Sequence, residues 1–234
     1  MRTIVGTSGY SYKEWKGTFY PDDLPASKML SFYAGHFGGV EINNTFYRMP
    51  DAKTLAKWTT EVPESFVFVL KAPQRITHQK RLAGAEDDLR YFYEVAESLG
   101  KQLGPVLFQL PPYFRKDVEK LRALLAAIPP GKRAALETRH ESWLSDDVYD
   151  VLREHDAAFV AADTDEVAEP ERIFTPTASW GYVRLRRTEY DDEQLAAWAR
   201  RAESAGWSEA FVFFKHEDEG KGPLFARRFL TKLR

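Results

Sequence analysis

VEINNTFYRMP, from Val40 to Pro50, opens as a strand headed into a core and then sets Glu41, Asn43 and Asn44 directly behind the apolar run. A charge in an apolar interior is costly unless it is paired or solvated. Side chains two apart share one face of a strand, so Glu41 and Asn43 point the same way. Both residues are accounted for if the far end of this strand opens on water. In a barrel of parallel strands the C-terminal ends do so, and they carry the active site.

The same passage from apolar to polar recurs in eight short runs: Thr3–Thr7, Gly39–Asn43, Phe66–Lys71, Pro105–Gln109, Arg133–Glu137, Ala157–Asp163, Tyr182–Arg186 and Ala210–Lys215. Near-continuous Val, Phe, Ile and Ala mark strands buried on both faces. The gaps between runs leave room for a crossover helix each time. Asp117–Ile128 is apolar at Val118, Leu121, Leu124, Leu125 and Ile128, the stripe of an amphipathic helix. Leu89–Gly100 ends in a glycine suited to a C-cap. Ser145 opens another helix as its N-cap, and a fourth closes at Gly206. Eight strands alternating with helices predict one α/β domain over 1–234, a (β/α)8 TIM-type barrel with parallel strands. A doubly wound open sheet is the alternative.

The 234 residues are 44% hydrophobic and 29% charged, with a formal net charge of −2, so the surface as a whole is no magnet for nucleic acid. With no cysteine, disulfides, thiolate metal sites and cysteine nucleophiles drop out. The first apolar run is too short for a signal peptide and no stretch has the length of a membrane span. The expectation is a cytoplasmic, soluble protein with no membrane partner.

Parity along the runs brings the polar strand ends together. Glu41 goes with Asn43, Lys71 with Val67 and Val69, Gln109 with Leu107, Glu137 with Arg139, Asp163 with Phe159 and Ala161, Arg184 with Tyr182 and Arg186, and Lys215 with Phe211 and Phe213. Five cations (Lys71, Arg139, Arg184, Arg186, Lys215) against three acids (Glu41, Glu137, Asp163) give this mouth +2 where the chain carries −2. A locally positive cleft favours an anion, and arginine offers two-pronged geometry for phosphate or carboxylate. The competing account is an ion network that only holds strand ends together, with Lys71 against Glu41 and Asp163 against Glu137 and Arg184.

Three segments, Ile4–Pro21, VEINNTFYRMP and Leu136–Trp143 (LETRHESW), together resemble the domain of unknown function 72, or YecE-like, family, and Gly104–Phe114 is similar to its fourth-strand segment. The resemblance implies a TIM-type barrel and imports no activity. Glu41, Asn43, Thr45, Phe46 and Tyr47 match the family's Glu-x-Asn-x-Thr-Phe-Tyr stretch. Glu137, Arg139, His140 and Trp143 match its Glu-x-Arg-His-x-x-Trp stretch. Where the family carries an asparagine-rich stretch after the last strand, this chain has FFKHEDEGKG, Phe213–Gly222.

The functional expectation is an enzyme-like barrel whose mouth takes a phosphate-bearing small molecule or a nucleic acid. Glu137, His140 and Asp163 are the candidates for proton transfer. Glu41, Asn43, Lys71, Gln109, Arg139, Arg184, Arg186 and Lys215 are the candidates for ligand binding. His140 has the titration range for acid/base work, but no HxH or HExxH spacing marks a metal site, and no motif names a cofactor. Two alternatives stay open: sugar isomerase or hydrolase chemistry on paired carboxylates, and a non-catalytic anion-binding module. Tyr10, Tyr12, Trp15, Phe46, Tyr47 and Trp143 follow strands and offer either stacking surfaces or packing. The glycines of GTSGYSYKEW, Gly6–Trp15, offer backbone amides to an oxyanion.

Overall fold

The computed structural model of the protein describes residues 1–216 and 220–233. Its strands are β1 Arg2–Thr7, β2 Gly39–Ile42, β3 Val67–Lys71, β4 Leu103–Gln109, β5 Ala134–Glu137, β6 Ala158–Phe159, β7 Ala161–Asp163, β8 Trp180–Leu185 and β9 Glu209–Phe214. The helices are α1 Met29–Ala34, α2 Ala52–Thr60, α3 Glu86–Ala96, α4 Val118–Ala126, α5 Asp146–Glu154, α6 Asp192–Ser204 and α7 Lys221–Leu230. Among the described residues no helix is long and apolar enough to cross a membrane.

The fold is α/β, and its strands form two sheets in which every pairing is parallel. One has the order β1-β9-β8-β7 and the other β2-β3-β4-β5-β6. The run expected as a single sixth strand, Ala157–Asp163, is divided at Val160. Its first part pairs with β5, Leu136 against Phe159, and its second with β8, Asp163 against Leu185. Val160 still donates its N–H to the Leu136 carbonyl at 2.9 Å. At the other junction Ser8 bridges Glu41 in parallel, and the Gly9 N–H donates to the Glu41 carbonyl at 2.8 Å. The regular ladders thus make sheets of four and five strands rather than one ring of eight.

Each sheet is buried on both faces, as the apolar runs require. Ile4, Val69, Leu107, Ala135, Tyr182 and Phe213 belong to one apolar cluster that draws on both sheets. The opposite parity, with Val5, Phe68, Leu70 and Val212, belongs to a larger cluster shared with the helices. Side-chain caps fix the start of some of the helices. The Asp117 side chain accepts the Lys120 N–H at the head of α4. At α6 the Asp191 side chain accepts the Gln194 N–H while the Gln194 side chain accepts that of Asp191, the reciprocal arrangement that satisfies two otherwise unpaired donors. Ser145 stands at the head of α5 without a side-chain cap bond.

The junction of β1 and β2 leaves no room for a side chain at Gly6. A Cβ there would stand 2.0 Å from the Gly39 carbonyl oxygen and 2.8 Å from the Tyr33 hydroxyl. That hydroxyl is itself engaged, accepting the Thr7 N–H at 2.7 Å and donating to Gly39 O at 3.1 Å. Gly6→Ala is therefore expected to push the two sheets apart and cost about 1–3 kcal/mol, the range for overpacking. A urea midpoint unchanged from the wild type would mean that the close approach of β1 and β2 is not needed for stability.

Candidate functional site

All strands run the same way, so their C-terminal ends form one rim. Glu41 rises from β2, where Val40 and Ile42 face the helices, and its carboxylate is fully buried. It accepts from the Ser8 hydroxyl at 2.6 Å, the Tyr182 hydroxyl at 2.6 Å and Arg184 Nη2 at 2.7 Å. Glu137, the last residue of β5, is 1% exposed and accepts from Arg184 Nη1. Arg184, 1% exposed on β8, is thus held between two carboxylates that belong to the other sheet.

The titrations follow from this arrangement. Burial alone would raise the pKa of both glutamates. For Glu41 the Arg184 charge and the bonds from Ser8, Tyr182 and Arg184 overcome it, and its carboxyl stays below the ordinary range. For Glu137 the charges of Arg184, Arg186 and Arg139 do the same. Burial opposes the Arg184 charge, but Glu137 and Glu41 reverse that and hold the guanidinium protonated. The Tyr182 hydroxyl is pushed well above its usual value, first by burial and then by Glu41.

Toward solvent the pairing thins. Arg186, one residue past β8, reaches Glu137 only at 3.4 Å, and its Nε is buried with no hydrogen-bond partner in the structure. Burial lowers the Arg186 pKa, with Arg184 and Arg139 adding to the effect against the pull of Glu137. Arg139 stands 3.7 Å from Glu137, and its side chain is 37% exposed. Lys71, at the end of β3, donates to the neutral Gln109 side chain at 2.6 Å and lies 4.2 Å from the centre of the Phe46 ring. Its pKa is lowered to about 8, by burial first and then by Arg184, with Glu41 and Glu137 acting the other way. Beside β5 and β7 opens a cleft of about 680 Å³ lined by Glu137, Arg139, His140, Val160, Thr164 and Arg186, among others.

Glu41, Lys71, Gln109, Glu137, Arg184 and Arg186 therefore come together, with Arg139 above them. Asn43 lies one residue past β2, half-buried at the head of a short 3₁₀ turn, Asn44–Phe46. Lys215 follows β9, its N–H donating to the Leu185 carbonyl at 3.1 Å. His140 lines the cleft, and its Nδ1 accepts the Ser142 N–H at 3.1 Å.

Asp163 does not join them. Phe159 and Ala161 pack on the helix side while Ala158 and Val160 take the inter-sheet side, the reverse of the expected parity. The Asp163 carboxylate accepts from Arg187 Nε at 2.8 Å, Trp198 Nε1 at 2.9 Å and the Tyr190 hydroxyl at 3.0 Å, all on the α6 side. Its expected contacts with Glu137 and Arg184 are thereby replaced by Arg187, and that of Lys71 with Glu41 by Gln109. Among the described residues no group of three or more His, Asp or Glu side chains converges to hold a metal ion. Residues 217–219 of the FFKHEDEGKG stretch lie outside the described residues.

Other expectations resolve locally. Trp15 and Trp143 are fully buried, so they pack rather than offer a stacking face. Phe46 is buried as well and meets both Lys71 and His78. Tyr47 remains 74% exposed. The amides of Ser8 and Gly9 are taken by the Phe214 and Glu41 carbonyls, so these two are not donors to an oxyanion. Sequence reasoning does not reach Ser8 as a donor to Glu41, because no local motif marks a contact between segments far apart in the chain. His78 packs edge-on against Phe46.

Residues 4–234 match the family described as "Protein of unknown function DUF72". The UPF0759 protein YunF of Bacillus subtilis is 32% identical over 158 residues, covering 62% of this chain and 54% of that protein. The UPF0759 protein YecE of Escherichia coli K12 is 29% identical over 117 residues, covering 50% of this chain and 43% of that one. The chain thus spans about half the length of the curated relatives it matches. A DUF72 family protein of Thermotoga maritima, solved by crystallography, superposes with a TM-score of 0.87 at 28% identity, covering 99% of this chain and 98% of its own. PbGH5A, a glycoside hydrolase family 5 enzyme of Prevotella bryantii, shares the fold at a TM-score of 0.52 and 10% identity, over 98% and 95% of the two chains. The chain belongs to the DUF72 family.

Removing Arg184 would leave two buried carboxylates without the guanidinium that lies between them. Arg184→Leu is expected to cost about 3–5 kcal/mol at pH 7, the range for breaking a buried ion pair from one side. Both glutamates have depressed pKa values, so their contribution is complete above the ordinary glutamate value of 4.5 and is lost as pH falls through the lower folded values. The stability gap between wild type and variant should therefore narrow in urea titrations carried below about pH 4.5. A gap that stays constant from pH 7 to pH 3 would mean that the glutamates are not ionised partners.

Proposed function

We propose, from this family membership and the geometry of the rim, that the protein binds a phosphate-bearing anion at the C-terminal ends of its strands. The observation that carries the reading is a surplus of cations over available carboxylates. Glu41 and Glu137 are both engaged by Arg184, the one cation that is wholly buried between them. Arg186, Arg139 and Lys71 stand over the same two acids at longer range or against a neutral amide. A phosphate between Arg186 and Arg139 would supply the charge these groups lack and an acceptor for the buried Arg186 Nε.

In this reading Arg186, Arg139 and Lys71 hold the anion, while Asn43, Gln109 and Lys215 orient it from neighbouring strand ends. Arg184, Glu41 and Tyr182 form the floor. The ligand is a phosphate-bearing small molecule or the backbone of a nucleic acid, whose phosphates present the same chemistry. Any proton transfer falls to His140, which lines the cleft with Glu137. Glu137 and Asp163 serve mainly to fix arginines, since each accepts from several buried donors. The two sheets act together as one barrel-like domain. The reason is that a single residue separates β6 from β7, and Ser8 pairs with Glu41 across the other junction. Sugar chemistry on paired carboxylates has less support, because both inner carboxylates are already engaged by Arg184. The likeness to PbGH5A concerns the fold alone.

Isothermal titration with inorganic phosphate is the direct test. Saturable heat is expected at low ionic strength and should diminish at physiological salt, where charge is screened over about 8 Å. Arg186→Ala and Arg139→Ala should each weaken binding by about 1.5–3 kcal/mol, the range for a bond to a charged group. Arg201→Ala, which removes a surface partner of Glu171, should leave it unchanged. Absence of heat at low salt, or equal losses in all three variants, would remove the reading.

A further inference from the structure

We infer that Lys71 is a nucleophile for a carbonyl compound, and that the phosphate-bearing ligand of the rim carries an aldehyde or ketone which this amine captures as an imine. The inference rests on the anion-binding reading for the orientation of the ligand, but the amine has its own support. Lys71 is half-buried, the final residue of β3, with its ammonium group set against an amide and a ring rather than a carboxylate. Lys116, Lys120 and Lys221 differ, each sitting on an Asp or Glu.

The groups around Lys71 come from five segments. Gln109 at the end of β4 accepts from Nζ at 2.6 Å, and Phe46 after β2 lies 4.2 Å away. Arg184 of β8 and Arg139 after β5 act against its proton, whereas Glu41 of β2 and Glu137 of β5 favour it. Burial and the two arginines win, and the pKa falls to about 8. A fraction of the amine is then uncharged near neutral pH, which is what nucleophilic attack needs. His78, in the turn after β3, packs edge-on against Phe46 at 4.8 Å. Its pKa is lowered by burial, by Lys71 and by Arg139, which disfavours the charged form, and its Nδ1 lies 2.8 Å from the Thr77 hydroxyl.

The chemistry balances without a further reagent. The Lys71 nitrogen lone pair adds to the carbonyl carbon, and one N–H proton passes to the oxygen. The carbinolamine then expels that oxygen as water with the second N–H proton, leaving a C=N bond. Protonation of the imine nitrogen makes the adduct an electron sink for bond changes next to the former carbonyl carbon.

Pyridoxal 5′-phosphate with sodium borohydride tests the inference on the intact protein, because the probe joins an aldehyde to a phosphate. Pyridoxal, which lacks the phosphate, is the parallel probe, and peptide mass spectrometry locates the reduced adduct. At one equivalent, labelling is expected to fall mainly on Lys71, to be suppressed by inorganic phosphate, and to rise with pH through a midpoint near 8. In Lys71→Arg, confirmed as folded by circular dichroism, the dominant adduct should disappear. Preferential labelling of Lys71 by pyridoxal with no gain from the phosphate and no phosphate competition would uphold the amine while removing the anion site. Phosphate binding by titration together with labelling scattered over exposed lysines, Lys71 spared, would overturn the nucleophile and leave the anion site standing.

Discussion

Arg184 is the constraint from which the rest of the rim follows. A guanidinium that is 1% exposed is a heavy desolvation cost unless its charge and donors are met. Glu41 and Glu137 meet the charge and both Nη groups, leaving Nε without a partner, and neither lies on the sheet that carries Arg184. The pairing therefore joins the four-stranded sheet to the five-stranded one near their C-terminal ends. It does so where backbone pairing between the sheets is sparse, reduced to the Ser8–Glu41 bridge on one side and the break at Val160 on the other. Tyr182 adds a second tie, since its hydroxyl crosses from β8 to the same Glu41 carboxylate.

The electrostatics of the cleft are a consequence of that arrangement. Two buried carboxylates and one buried guanidinium leave a formal charge of −1 below the rim. Three more cations, Lys71, Arg139 and Arg186, stand above it. The resulting excess is felt by two of them: the pKa values of Lys71 and Arg186 are lowered first by burial and further by Arg184 and Arg139. A chain with net charge −2 thus concentrates positive potential at one end of its strands. Such focusing in a cleft with low-dielectric walls raises the local concentration of an oppositely charged ligand.

The architecture was legible where strand parity was unambiguous. Val40 and Ile42 flank Glu41 with large apolar groups, so only one assignment of faces is consistent. The same holds for Lys71 behind Val67 and Val69, and for Arg184 behind Tyr182. It failed in Ala157–Asp163, where alanine occupies both parities and Phe159 and Val160 set apolar groups on opposite faces. There the ring of Phe159 decided the matter by packing against Tyr149 of α5, and Asp163 went with it to the helix side. The division of that run at Val160 had no sequence signal either, because it depends on which neighbouring strand each half can reach. Ser8 was unreadable for a related reason: its role is set by a partner 33 positions away.

At the level of sequence, a structural ion network and a binding site compete as accounts of the same charged strand ends. In three dimensions they separate by depth. The buried layer, Glu41, Glu137 and Arg184, is nearly saturated in hydrogen bonds: each carboxylate has two or more donors and the guanidinium two acids, with only Arg184 Nε left without a partner. The layer above is not, and its side chains range from 18% exposed at Arg186 to 37% at Arg139. The first layer makes the second possible. Carboxylates not held by Arg184 would be free to close on Arg186 and Arg139 and cancel the field that the proposed anion site needs. By engaging both acids from below, Arg184 leaves Arg186 and Arg139 sharing one acid, Glu137, at 3.4 and 3.7 Å. A residue that reads as purely structural is in this way what leaves the rim with charge to offer a ligand.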